Sequence, residues 1–102
     1  MEKKITINNE GKFLVNGVVQ EDAFVGTLDG VARLFVDGVA VKGTLKELGL
    51  REEIYAISTN QVKNLETGET VTTAVRPNGD IAITVINSNG EIVPEKCKEI
   101  KK

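Results

Sequence analysis

The sequence predicts a mainly β protein: a small antiparallel sandwich or barrel built from hairpins, with one short helix near residues 45–48. β-Branched residues dominate, with 13 Val, 9 Ile and 9 Thr against 7 Leu and 6 Ala, and such side chains pack better on a pleated surface than on a helix. Six glycines follow an Asn, Asp or Thr, at Asn16-Gly17, Asp29-Gly30, Asp37-Gly38, Thr67-Gly68, Asn78-Gly79 and Asn89-Gly90. Asn-Gly and Asp-Gly tolerate positive φ at both central positions of a type I′ turn, whose twist matches the strands it joins. At 102 residues, 40% hydrophobic and 27% charged, the chain is long enough to bury one core and too apolar for a disordered segment.

These turns divide the chain into strands expected over approximately Lys3 to Asn8, Lys12 to Val15, Val18 to Gln20, Ala23 to Leu28, Val31 to Val36 and Val39 to Lys42. After a break, four more are expected over Ile54 to Thr59, Val62 to Leu65, Thr70 to Val75 and Ile81 to Asn87. Short turns between consecutive strands imply a meander. Alternation puts Val71, Thr73 and Val75 on the same side as Ile81, Ile83 and Val85 across the Pro77-Asn78-Gly79-Asp80 turn. In Val31 to Val36 both faces are apolar apart from Arg33, which fits a strand covered on two sides or a surface that meets a partner.

The break is Thr44-Leu45-Lys46-Glu47, which has the capping-box form, followed by Gly49 where a left-handed C-terminal cap would fall. It predicts a helix over about Leu45 to Leu48. The similar segments around Asn16-Gly17, Asp29-Gly30 and Asp37-Gly38 are repeated hairpin chemistry; their uneven spacing argues against a solenoid.

Residues 1–93 are expected to form a single β-rich domain, and residues 94–102 a charged tail, frayed or docked. Residues 13–93 carry 6 Lys or Arg against 11 Asp or Glu, so the body is acidic and the two ends are basic. The basic start lacks the apolar stretch of a signal peptide, no apolar run approaches a membrane span, and lipidation motifs are missing. With the lone cysteine Cys97 unable to form an internal disulfide, this points to the cytoplasm.

The chain contains no histidine, which removes Ser-His-Asp and Cys-His arrangements and histidine-containing zinc sites from a single chain. Cys97, between Lys96 and Lys98, reads as an incidental thiol. Glu21-Asp22 and Glu52-Glu53 supply carboxylates for acid–base work, but adjacent acids in a strand face opposite ways, and both pairs read as solvated charges. Asp29, Asp37 and Asp80 read as turn residues, since no run of alternating oxygen ligands surrounds them. No phosphate-cradling glycine loop is present. Nucleic-acid binding is disfavoured by the acidic body, although Lys3, Lys4, Lys96, Lys98, Lys101 and Lys102 would form one basic patch if the ends met.

The expected function is therefore non-enzymatic and cofactor-free: a protein-binding or assembly module acting through its β surface, as a homo-oligomer or a small inhibitor. Candidate interface residues are Leu34 and Phe35 in the two-sided apolar run, and Leu48, Leu50, Arg51 and Tyr55, where bulky groups flank an arginine. The alternatives are a protein that sequesters a small ligand or nucleotide, a nucleic-acid-binding barrel, and an enzyme using carboxylates alone.

Overall fold

The computed structural model of the chain describes residues 4–101. Eleven strands follow one another: β1 (Ile5–Ile7), β2 (Phe13–Val15), β3 (Val18–Gln20), β4 (Ala23–Leu28), β5 (Val31–Val36), β6 (Val39–Ala40), β7 (Tyr55–Ser58), β8 (Gln61–Asn64), β9 (Thr70–Val75), β10 (Ile81–Ile86) and β11 (Lys98–Ile100). Single 3-10 turns precede β7 and β11, at Glu52–Ile54 and Pro94–Lys96. Every ladder is antiparallel and joins neighbours in sequence, so the meander is realised. It falls into three sheets, β1-β2-β3, β4-β5-β6 and β11-β10-β9-β8-β7.

These sheets do not close into a barrel. Among the described residues no ladder joins β3 to β4 or β6 to β7. The chain leaves the first sheet at Glu21-Asp22 and the second through residues 41–54, so the ladder is interrupted at both places. The expected start of the first strand at Lys3 lies outside the described residues.

Turn chemistry explains the hairpins. Asn16, Asp29 and Asp37 have φ of 52°, 54° and 53°, each followed by a glycine also at positive φ, giving two-residue loops of the type I′ kind. The other three glycine turns differ. At Asn78-Gly79 and Asn89-Gly90 only the glycine is left-handed, and longer loops are closed by Arg76 N–H to Asp80 O and Asn87 N–H to Glu91 O, both at 2.8 Å. In a two-residue Asn78-Gly79 loop Pro77 would have to donate its N–H to Asp80 O, and proline has none, so the closing bond falls to Arg76. The β9–β10 register nevertheless falls as alternation predicts, Val71 opposite Val85, Thr73 opposite Ile83 and Val75 opposite Ile81.

The helix expected near residues 45–48 is a single capped turn instead. Its capping box is complete: Glu47 N–H donates to Thr44 Oγ1 at 3.2 Å, and Thr44 N–H donates to Glu47 Oε1 at 3.1 Å. Gly49 is left-handed at φ +81°, and Leu50 N–H donates back to Leu45 O at 2.9 Å, a Schellman closure. Only four residues separate Thr44 from Gly49, which leaves no room for a second turn. Arg33 secures the segment by donating to Gly43 O at 3.2 Å.

The expected tail is docked and ends in a strand. β11 pairs with β10, Ile83 opposite Lys98 and Ile81 opposite Ile100, and Ile100 packs against a core cluster. The Cys97 thiol accepts from Val85 N–H at 3.5 Å and donates to Val93 O at 3.3 Å, fastening the preceding turn to β10.

Two apolar clusters lie on opposite faces of β4 and β5. Phe24 and Phe35 are cross-strand partners whose rings stack 5.6 Å apart, joined by Val71, Ile83 and Val85 of the five-stranded sheet. Val25 and Leu34, the next pair along, face the other cluster, with Ile5 and Phe13, the capped turn's Leu45 and Leu50, and Tyr55 and Val62. The two-sided apolar run is thus a strand covered on both faces. Gly26 lets β4 approach β9 closely: a Cβ there would lie 2.8 Å from Thr73 Oγ1 and 3.1 Å from Phe35 Cε1.

Candidate functional site

β4 is the terminal strand of its sheet, and a cavity of about 100 Å³ opens along its free edge. Phe24 and Val25 point to opposite faces of β4 yet both line it. The cavity therefore lies at the seam where the two clusters meet. Its remaining apolar wall comes from Phe13 of β2, Tyr55 and Val62 of the β7–β8 hairpin, and Val71 and Val85 of β9 and β10. The hairpin brings Tyr55 opposite Asn64. Asn64 Oδ1 then accepts from Glu66 N–H and Thr67 N–H at 2.9 and 3.2 Å, which shapes the adjoining loop.

Tyr55 is the unusual member of this wall. It is only 7% exposed, and among the described residues its hydroxyl has no hydrogen-bond partner. Buried hydroxyls are nearly always paired. Burial, with the charge of Glu66 adding to it, pushes its pKa up to about 12, so near neutral pH it is a protonated donor with nothing to donate to.

Charges surround the rim, and they are matched. Lys12 pairs with Glu21 at 3.1 Å, Lys98 with Asp22 at 3.2 Å and Lys96 with Glu69 at 2.7 Å. The last two pairs tie the C-terminal segment to the start of β4 and to the β8–β9 loop. Glu21 and Asp22 are exposed, as expected of solvated charges, and they pair at the rim with Lys12 and Lys98. Of the lysines expected to form a basic patch, Lys96 and Lys98 are held in these pairs and Lys101 lies 3.9 Å from Glu99; Lys3 and Lys102 lie outside the described residues. Among the described residues no group of three or more His, Cys, Asp or Glu is placed to hold a metal ion. No helix there is long and apolar enough to cross a membrane.

The interface candidates are not brought together as one surface. Leu34 and Phe35 are fully buried on opposite faces of β5, and Leu50 and Tyr55 are core residues. Leu48 is half-buried against the first cluster, and exposed Arg51 pairs with Glu53 at 3.0 Å. Leu34 and Phe35 alternate between two cores, and Leu50 and Tyr55 join the first, so bulk and hydrophobicity went inward. Only Tyr55 lines the cavity. Phe13, Val25, Val62 and Lys98 come to it from separate strands, and no local pattern in the sequence marks them. Comparison with protein-family models, curated proteins and solved structures found no match for this chain.

Proposed function

We propose that this chain is a non-enzymatic binding protein that holds a small molecule in the cavity beside β4, on a layered scaffold of the β-sandwich kind. The observation that carries the reading is a cavity of about 100 Å³ that joins an apolar wall, Phe13, Phe24 and Val85 among it, to polar groups from Asn64, Thr67 and Lys96. Ligand sites combine such walls with a few placed polar groups. A cytoplasmic setting suits the lone Cys97. Thermal denaturation against a metabolite panel tests the reading: a true ligand at roughly 100 times its dissociation constant adds about 2.7 kcal/mol of stability. A flat response across neutral and charged compounds alike counts against it.

A protein-binding or assembly role is the second reading, and exposed apolar groups on sheet edges favour it. Val18 (62% exposed) and Val19 lie on β3, and Ile57 on β7, each strand terminal in its sheet. Such edges can pair with another chain or with a second copy. Native mass measurement decides self-association. A dimer that V19K or I57K converts to monomer supports this reading, and a strict monomer that captures no protein removes it.

A further inference from the structure

We infer that residues 94–100 form a strap across the cavity beside β4, held shut by ion pairs and released as ionic strength rises. Lys96 Nζ meets Glu69 Oε2 at 2.7 Å and Lys98 Nζ meets Asp22 Oδ2 at 3.2 Å, and all four residues line the cavity. Each pair therefore runs from the C-terminal segment to a different wall, Glu69 in the β8–β9 loop and Asp22 at the head of β4. Further along, Ile100 lies against the β5–β6 turn, where a Cβ on Gly38 would stand 3.3 Å from Ile100 Cγ1. β11 belongs by its ladder to the five-stranded sheet. Its Lys98 and Ile100, on one face of the strand, reach instead to the β4-β5-β6 sheet, with which β11 shares no ladder among the described residues.

The rest of the attachment is shallow. Pro94–Lys96 and Glu99 are exposed, and Cys97, Lys98 and Ile100 are only half-buried. β11 is a terminal strand paired over three residues, against six for β9 with β10, and the Cys97 thiol adds weak bonds to Val85 N–H and Val93 O. Segments with few buried contacts open at lower cost than the core beneath them. On the outer face Arg76 pairs with Glu99, so among the described residues three ion pairs tie the strap to the body. Their side chains are 21–50% exposed, and charges with that access to water are screened by salt, whereas apolar packing is not. Val93 stays fixed, its N–H donating to Val85 O at 2.8 Å, so opening begins beyond it, at Pro94. Opening removes the cavity wall given by Lys96 and Lys98 and frees the outer edge of β10. The strap is a property of the fold and holds whether or not the cavity takes a ligand.

Amide hydrogen exchange of the full chain, read residue by residue, makes the test. Raising sodium chloride from about 20 mM to about 500 mM should speed exchange of the β11 amides about tenfold, as three pairs of ordinary surface strength imply, and leave the amides joining β9 to β10 unchanged. At the lower salt, E69Q combined with D22N should speed the β11 amides about fivefold and blunt their response to salt. E21Q, whose pair with Lys12 lies off the strap, should change nothing there. If the β11 amides answer neither salt nor the double variant, ion pairs do not hold the strap. If the β9–β10 amides accelerate equally, the whole domain is opening and no separate strap exists. An E21Q protein that matches the double variant would reduce the effect to net charge and overturn the inference as well.

Discussion

Thr73 and Tyr55 both carry buried hydroxyls, and they stand in opposite situations. Thr73 Oγ1 accepts from Thr27 N–H at 3.0 Å, with both residues 1% exposed, so an amide on the free edge of β4 finds its partner across the interface with β9. Replacing that hydroxyl by a methyl in T73V leaves the amide buried and unpaired, and should lower stability by about 1–3 kcal/mol in a urea titration. G26A, which sets a methyl group against the same oxygen and the Phe35 ring, should cost about 1–3 kcal/mol through overpacking. Wild-type midpoints for both variants would mean that β4 and β9 do not meet as described. Tyr55 has no such partner, and its effect appears with pH. Tyrosine ionises near pH 10 in an unfolded chain, whereas here burial holds it to about 12. The folded-state value is raised, so the stability linked to Tyr55 is complete below about pH 10 and is lost as pH climbs through its folded value. Wild type should therefore lose stability faster than Y55F across that interval. As the chain has a single tyrosine, phenolate absorbance reports the group directly, and a midpoint near 10 would show that the ring is solvated.

At the scale of elements, the capped turn shows how far local chemistry can be read. Thr44, Glu47 and Gly49 predicted both caps, and all of their hydrogen bonds form; the missing helix follows from the distance between the caps. Glu47 ionises below the usual carboxylate range because the Thr44 amide, and then the Thr44 hydroxyl, bond to it. A lowered carboxylate supplies stability above its unfolded value and loses it as pH falls through the folded one. Wild type should thus melt above E47Q near neutral pH, with the gap closing in acid; a gap that is constant with pH would deny the carboxylate this part. The strands Ala23–Leu28, Val31–Val36 and Thr70–Val75 fall where alternation and turn residues place them, because both signals are local. β11 was hidden. Lys98-Glu99-Ile100 looks like a solvated tail until β10 lies beside it, and that pairing spans more than a dozen residues. The cavity was illegible for the same reason, since its walls meet only when β2, β4, β8 and the C-terminal segment converge, and Tyr55 reads in sequence as an interface candidate beside Arg51 rather than as a cavity wall.

For the whole molecule, the decisive arrangement is a middle pair of strands that serves two cores. Leu34 belongs to the cluster shared with β1, β2, the capped turn and β7, and Phe35 to the cluster shared with β9 and β10, yet they are neighbours on one strand. Neither cluster can dissolve without releasing β5, and β5 carries the other, so unfolding should be a single transition despite three separate sheets. Truncation removes buried contacts and leaves a void: L34A should cost about 2–5 kcal/mol and F35A about 3–5 kcal/mol, a large share of the 5–15 kcal/mol typical of a whole domain. Tyrosine fluorescence reports the first cluster through Tyr55, and far-ultraviolet circular dichroism reports all three sheets. In wild type and in L34A the two curves should coincide during thermal melting, and the F35A curves should shift downward together although that residue lies in the cluster without the tyrosine. A fluorescence transition left in place while the dichroism moves would mean that the clusters melt independently, and that β4 and β5 do not couple them.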